Sequence, residues 1–140
     1  MRNNIKNLAF FMLFIAVGFM SCEKETGSGD EVRETRSVAA FTEVEMRNSA
    51  NVEFIKGTTQ KVEVADFENL LEFLIVEVSG NKLIIRTKDN TIISNSKAKV
   101  FITTPENITK TVLSGSGNIV YFGTPDLDTT VTGSGKVIKK

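Results

Sequence analysis

Apolar positions are laid out in two unlike ways along this chain. Residues 8–20 form an unbroken, uncharged apolar run, with Arg2 and Lys6 upstream and Ser21-Cys22 immediately downstream. From Val38 onward the period is two. Val52-Glu53-Phe54 and Lys61-Val62-Glu63-Val64 alternate apolar and polar side chains, the pattern of a half-buried strand rather than of a helix. Residues 75–78 and 83–86 read as two strands about Ser79-Gly80-Asn81-Lys82, because glycine supplies the positive φ that tight hairpin turns need. Residues 97–104 predict another strand, ended by Pro105, and residues 67–74 predict the one short helix or a bulged connection. Two prolines and many β-branched residues complete an all-β picture.

The strongest internal signal lies near the end of the sequence. Leu113-Ser114-Gly115-Ser116-Gly117-Asn118-Ile119 recurs as Val131-Thr132-Gly133-Ser134-Gly135-Lys136-Val137, at an offset of 18. Met46-Arg47-Asn48-Ser49-Ala50-Asn51-Val52 follows the same plan without glycine: apolar, four small or polar, one polar, apolar. Short fixed periods mark solenoids. Such a repeat at ~3.3 Å per residue gives a circuit of about 60 Å, stacked at the ~4.8 Å strand spacing, which suits one rung of a β-helix. Each rung is expected to turn a corner at Ser114, Gly115, Ser116 and Gly117, and again at Thr132, Gly133, Ser134 and Gly135. Glycine would adopt backbone angles closed to other residues there, and the small side chains would let corners stack. Leu113, Ile119, Val131 and Val137 would point into the stack. The alternative is an antiparallel β-sandwich in which the two motifs are unrelated hairpin loops. A solenoid ending at Lys140 would show an exposed final rung, completed by a partner chain or left short.

The apolar run near the start is about thirteen residues, within the ~7–15 of a signal h-region and short of the roughly 20 that a membrane-spanning helix needs. Phe19 stands three residues before Cys22 and is not small, so an ordinary A-x-A-like cut is a poor fit. Processing directly before Cys22 fits better, and Phe19-Met20-Ser21-Cys22 resembles a lipobox. Residues 1–21 are therefore read as a lipoprotein signal and Cys22 as the lipidated first residue. The alternative is a secretory signal that leaves a free thiol. Resemblance to bacterial lipoproteins implies a diacylglyceryl thioether on Cys22, often with a third chain on its amine; two or more chains make a stable anchor. As the single cysteine of the chain, Cys22 allows no internal disulfide. Residues 22–36 hold one aliphatic side chain, Val32, and five acidic against three basic residues, so they read as a polar tether. Residues 37–140 are left as one β domain, of a size that supports a modest core.

The full chain has 17 basic and 17 acidic residues. Removal of the leader takes away Arg2 and Lys6, so the mature chain is weakly acidic and lacks the basic stripe of a nucleic-acid binder. There is no histidine, which removes the usual triads, most zinc sites and the commonest general base. Ser114 and Ser116 do not have the G-x-S-x-G spacing. Gly133-Ser134-Gly135-Lys136 lacks the Ser/Thr and the helix that a phosphate loop requires. Asp126 and Asp128 supply two carboxylates, short of the 6–8 oxygens calcium takes. Glu43, Glu45 and Glu53 could meet in space but read better as an exposed polar row. No catalytic residue, metal or cofactor is expected. In the run Ile119-Val120-Tyr121-Phe122 alternation buries one pair and exposes the other; an exposed aromatic there offers a surface for glycan or another chain, although core packing or stacking on the next rung is the plainer use.

Taken in order, Val38-Ala39-Ala40-Phe41-Thr42-Glu43-Val44, Asn51-Val52-Glu53-Phe54-Ile55-Lys56-Gly57, Val62-Glu63-Val64-Ala65-Asp66, residues 77–85 and the Ser-Gly-Ser-Gly rungs resemble the head GIN domain family over about residues 36–140. That family carries the label of an auto-transporter adhesin domain and brings no catalytic residues. The resemblance implies a fold similar to a right-handed β-helix and an exported protein of a Bacteroidetes-type bacterium, here with fewer rungs than usual. The expected role is a non-enzymatic binding or adhesion module. It would sit on the outer membrane through the lipid on Cys22, at the cell surface or the periplasmic face, with a glycan or an envelope protein as partner. Two other roles arise from other features: a structural envelope protein that assembles, also with its own copies, through its open end, and a glycan-active enzyme.

Overall fold

The computed structural model describes residues 21–105, 107–123 and 126–140. The leader read over residues 1–21 lies outside them, apart from Ser21. In chain order the strands are β1 (Glu23–Thr26), β2 (Glu31–Arg36), β3 (Glu43–Met46), β4 (Asn51–Lys56), β5 (Lys61–Phe67), β6 (Leu74–Ser79), β7 (Lys82–Thr87), β8 (Thr91–Ser94), β9 (Lys99–Thr104), β10 (Lys110–Leu113), β11 (Asn118–Tyr121), β12 (Asp128–Val131) and β13 (Lys136–Lys139). The expected helix is a 3₁₀ segment, Glu68–Phe73, which buries Leu70, Leu71 and Phe73. A first sheet runs β12-β10-β3-β7-β6, a second runs β13-β11-β4-β9-β5-β2, and β1 pairs with β8 alone.

The repeat is a stack of parallel rungs. Leu113 pairs with Val131 on one side and Met46 on the other, and Met46 with Ile85. In the second sheet Ile119 pairs with Val137 and Val52, and Val52 with Val100. The glycine-free motif at residues 46–52 is thus the rung directly beneath the first glycine motif, and β7 with β9 make the level below it. Pleating sends alternate side chains of both sheets into one shared core, with Met46, Leu83, Ile85, Val100, Ile102, Leu113 and Ile119 all at 0% exposure. Burying a side chain of this size is worth about 1.5–3 kcal/mol, so these columns carry the fold without a disulfide. Antiparallel pairing is confined to β2, β5 and β9 and to β6 with β7. The β6–β7 hairpin turns at Gly80-Asn81 with φ +64° at Gly80, the glycine-first geometry of a type II′ turn.

Two sequence expectations change. The corner glycines are not there for unusual backbone angles, since positive φ among glycines falls at Gly29, Gly80 and Gly123. They are there because corners lie backbone on backbone. A Cβ on Gly115 would sit 1.6 Å from the Asn48 carbonyl oxygen, one on Gly117 1.6 Å from that of Ala50, and one on Gly133 2.0 Å from that of Gly115. The lowest corner, residues 47–50, has no corner beneath it, only the excursion of residues 88–98. A cleft of about 200 Å³ lies there with Asn48 in its lining, which leaves room for that side chain, while the Ala50 methyl packs into the core. The polar residue closing each corner also has a task. The Asn51 side-chain oxygen accepts the Asn118 backbone N–H at 3.1 Å, and the Asn118 oxygen accepts that of Lys136 at 3.1 Å.

Second, residues 22–36 are not a free tether. The Glu23 N–H donates to the Asn90 carbonyl at 2.8 Å, and β1 then continues in register along β8. β2 closes the edge of the second sheet against β5. The charged composition that suggested a spacer is what an edge strand tolerates, because its pairing is made by backbone while its side chains face water. Arg33 lies 3.9 Å over the Phe101 ring, and Val32 packs on the core. Val131 stands in the inward column above Leu113 and is 42% exposed, as expected of a final rung, since no described strand pairs with the outer side of β12.

The corner contacts and the outer face of β3 can each be tested. Gly117→Ala forces a Cβ into the Ala50 carbonyl, and the corner must open; overpacking against backbone predicts a loss of about 3 kcal/mol, the upper end of the usual range, in urea denaturation. Ser116→Ala, one residue away and exposed, is expected to stay within about 0.5 kcal/mol. Glu45 is held below the usual carboxylate range by the hydrogen bond from Arg47, with Lys82 adding to it at 3.0 Å. A depressed carboxylate stabilises above its unfolded pKa and loses that contribution as pH falls through its folded value. Glu45→Gln should therefore flatten the acid limb of the stability curve and cost under about 1 kcal/mol at neutral pH, since Arg47 is half exposed.

Candidate functional site

The two ends of each rung are built differently. Residues 47–50, 114–117 and 132–135 make equal, tightly stacked four-residue corners. At the other end the chain passes from β4 after Lys56 to β5 of the same sheet, and leaves the second sheet for the first after Thr104 and Tyr121, by return segments of unequal length. Between these returns lies a cleft of about 520 Å³, within the ~300–1,000 Å³ of small-molecule sites.

Its floor comes from the end of the inward columns. Phe54 pairs with Tyr121 across β4 and β11, Phe54 is 7% and Ile108 8% exposed, and Leu127 packs on the same core. The rim carries Ile55 and Phe122, each 42% exposed. Alternation along β11 sends Ile119 and Tyr121 inward and leaves Phe122 outside, as the sequence pattern implied. Gly123 follows Phe122 at φ +88° with nothing within 4 Å of where a Cβ would lie. The polar part is small. The Lys56 ammonium donates to the Asn107 side-chain oxygen at 3.3 Å, and Thr104 completes the lining. The arrangement can hold an apolar body and offer donors to its polar end.

The residues singled out from sequence lie elsewhere. Ser114, Gly115, Ser116, Gly117, Thr132, Gly133, Ser134 and Gly135 form the corners at the opposite end of the rungs, and the Ser114 hydroxyl is spent on the Met46 carbonyl at 3.3 Å. Glu43 and Glu45 lie on the outer face of β3, whereas Glu53 lies on the outer face of β4 in the other sheet. They do not meet: Glu45 is paired with Arg47 and Lys82, and Glu43 accepts from the Asn81 amide at 3.2 Å. Asp126 and Asp128 are exposed, and no group of three or more metal-ligating side chains occurs among the described residues. Cys22 is exposed with a free thiol and abuts β1. No helix among the described residues is long and apolar enough to cross a membrane. Of the cleft, sequence reasoning reached Tyr121 and Phe122; Lys56 comes from the end of β4 and Asn107 and Ile108 from the segment between β9 and β10, and no periodicity links them.

The family described as "Putative auto-transporter adhesin, head GIN domain" matches residues 40–140. The chain belongs to that family. Solved structures share the head GIN fold at low identity. A "putative adhesin" from Bacteroides fragilis superposes with a TM-score of 0.73 at 18% identity, covering 82% of this chain and 55% of that one. A "putative adhesin" from Parabacteroides distasonis gives 0.65 at 19% identity, covering 84% and 59%. A "putative lipid binding protein" from Parabacteroides distasonis gives 0.57 at 22% identity, covering 84% and 55%. The head GIN chain thus spans a little over half the length of these structures. A comparison with curated proteins gave no match.

Cleft rim and core separate energetically. Phe122→Ala is expected to leave the unfolding free energy within about 0.5 kcal/mol, as a largely exposed side chain. Phe54→Ala, at the cleft floor, should cost about 3–5 kcal/mol in the same denaturant titration.

Proposed function

We propose that this head GIN chain is an exported, non-enzymatic binding or adhesion module of the cell envelope, anchored through lipid on Cys22 and making its contacts through the return-loop cleft. The observation that carries the reading is the placement of these two features. Cys22 leads without a spacer into β1, which is held along β8. β8 belongs to the excursion between β7 and β9 on the corner side, where Thr91 and Ile93 line the smaller cleft with Asn48 and Ser49. The larger cleft is formed at the far ends of β4, β9 and β11. A six-residue strand such as β4 separates the two ends by about 20 Å. An anchor at Cys22 would set the corner end toward the membrane and leave the cleft facing away from it. Among the described residues, the cleft's lining offers no nucleophile–base pair and no paired carboxylates, which supports binding over catalysis.

The test combines lipid labelling with protease shaving of intact cells. Wild type should take up an alkyne-labelled fatty acid, fractionate with the outer membrane and be digested on intact cells. Cys22→Ala should lose the label and accumulate as a larger, unprocessed precursor. A Cys22→Ala protein of unchanged size and labelling would sink the anchor. Protection from protease until the outer membrane is opened would sink the surface role.

A further inference from the structure

We propose that the return-loop cleft takes one monomeric amphipathic carboxylate of the long-chain fatty-acid type, its apolar body against Tyr121, Phe122 and Ile108 and its head at Lys56 and Asn107. The inference rests on the reading of this cleft as the contact surface and gives that surface a ligand class.

Charge complementarity decides the head group. Among the described residues lining the cleft, Lys56 is the one charged side chain and none is acidic. Asp126 precedes Leu127 in sequence but is exposed and does not line it. Lys61 and Lys82 each lie 3.0 Å from a glutamate, and Lys97 pairs with Glu31. Lys56 instead faces the neutral Asn107 amide at 3.3 Å. An ammonium has three donors, so the others remain for an incoming anion. The apolar body is decided by the walls. Phe122 and Ile55 hold more than a third of their surface in water at the rim, and Phe54 and Ile108 close the floor. A bound chain would cover the exposed rings and complete the burial.

Size and position select a monomer over a membrane surface. A cleft of about 520 Å³ holds one small molecule, and it opens at the end of the rungs remote from Cys22. A neutral glycan would leave the single cation unanswered.

The experiment uses the processed chain, residues 22–140, with Cys22→Ala so that no covalent lipid competes; all thirteen strands lie within it. The probe is dansyl-labelled undecanoic acid, set against its neutral amide, with circular dichroism as the check on folding. Saturable one-to-one binding with a blue-shifted emission is expected. Lys56→Met should weaken the acid about fivefold and leave the amide unchanged, while Lys56→Arg restores the acid. Phe122→Ala should weaken both about tenfold. No saturable binding by the folded protein, equal binding of acid and amide, or indifference to both Lys56→Met and Phe122→Ala would overturn the proposal. So would Lys56-dependent sedimentation with phosphatidylglycerol vesicles in the absence of probe binding, which would assign the face to a membrane. Failure of the probe with lipid labelling and shaving as expected would sink this inference alone; loss of both would sink the anchored binding module as well.

Discussion

Everything in this fold depends on corners that stack backbone against backbone. Parallel strands hold their rungs about 4.8 Å apart, and a chain that reverses from one sheet to the other must keep that spacing through the bend. At Gly115, Gly117, Gly133 and Gly135 the carbonyl beneath already occupies the place of a Cβ. No rotamer can relieve such a contact, because both groups belong to the backbone. Side-chain removal at these positions sets the register of the stack, and register in turn puts Leu113 over Met46 and Ile119 over Val52. The inward columns follow, and with them the hydrophobic core.

The same constraint explains why the two ends of the molecule differ in use. Equal corners at one end pack without room for a guest, and their amide ladder through Asn51 and Asn118 spends the polar groups on one another. The returns at the other end escape the rule. They leave from β4, β9 and β11 by different routes and lengths, and the larger cleft lies among them. Regular repetition provides rigidity; the departure from it provides a surface with an aromatic rim and an isolated cation.

The lower part of the stack is finished by other means. Below β7 and β9, the antiparallel strands β6, β5 and β2 and the 3₁₀ segment cover the core. Asp66, 3% exposed, ties the excursion before β9 to β5 by accepting from the Ser96 hydroxyl at 2.6 Å and the Lys97 N–H at 2.8 Å. Charged β2 seals the sheet edge with side chains that discourage further pairing. With β1 seated on β8, the segment after Cys22 is part of the body, and any anchor there would fix the orientation of the domain as well as its location.

Local physics made much of the architecture legible. Alternation placed the strands, Gly80 placed the hairpin, and the offset of 18 placed the last two rungs, because each depends on neighbours in the chain or on a repeat that must match itself. The Ser-Gly-Ser-Gly motifs marked the corners, but the reason for their glycines was hidden, since it lies in carbonyls of another rung, 67 residues away at Asn48 and Ala50. The strands of residues 22–36 were hidden as well, because an edge strand is held by backbone pairing that leaves no apolar period. Long-range pairing alone decided that the rung at β3 and β4 would lie between levels made much later in the chain, and that Lys56, Asn107 and Phe122 would share one cleft. No local rule couples the end of a strand to residues on separate loops; only the closing of the stack brings them to the same end.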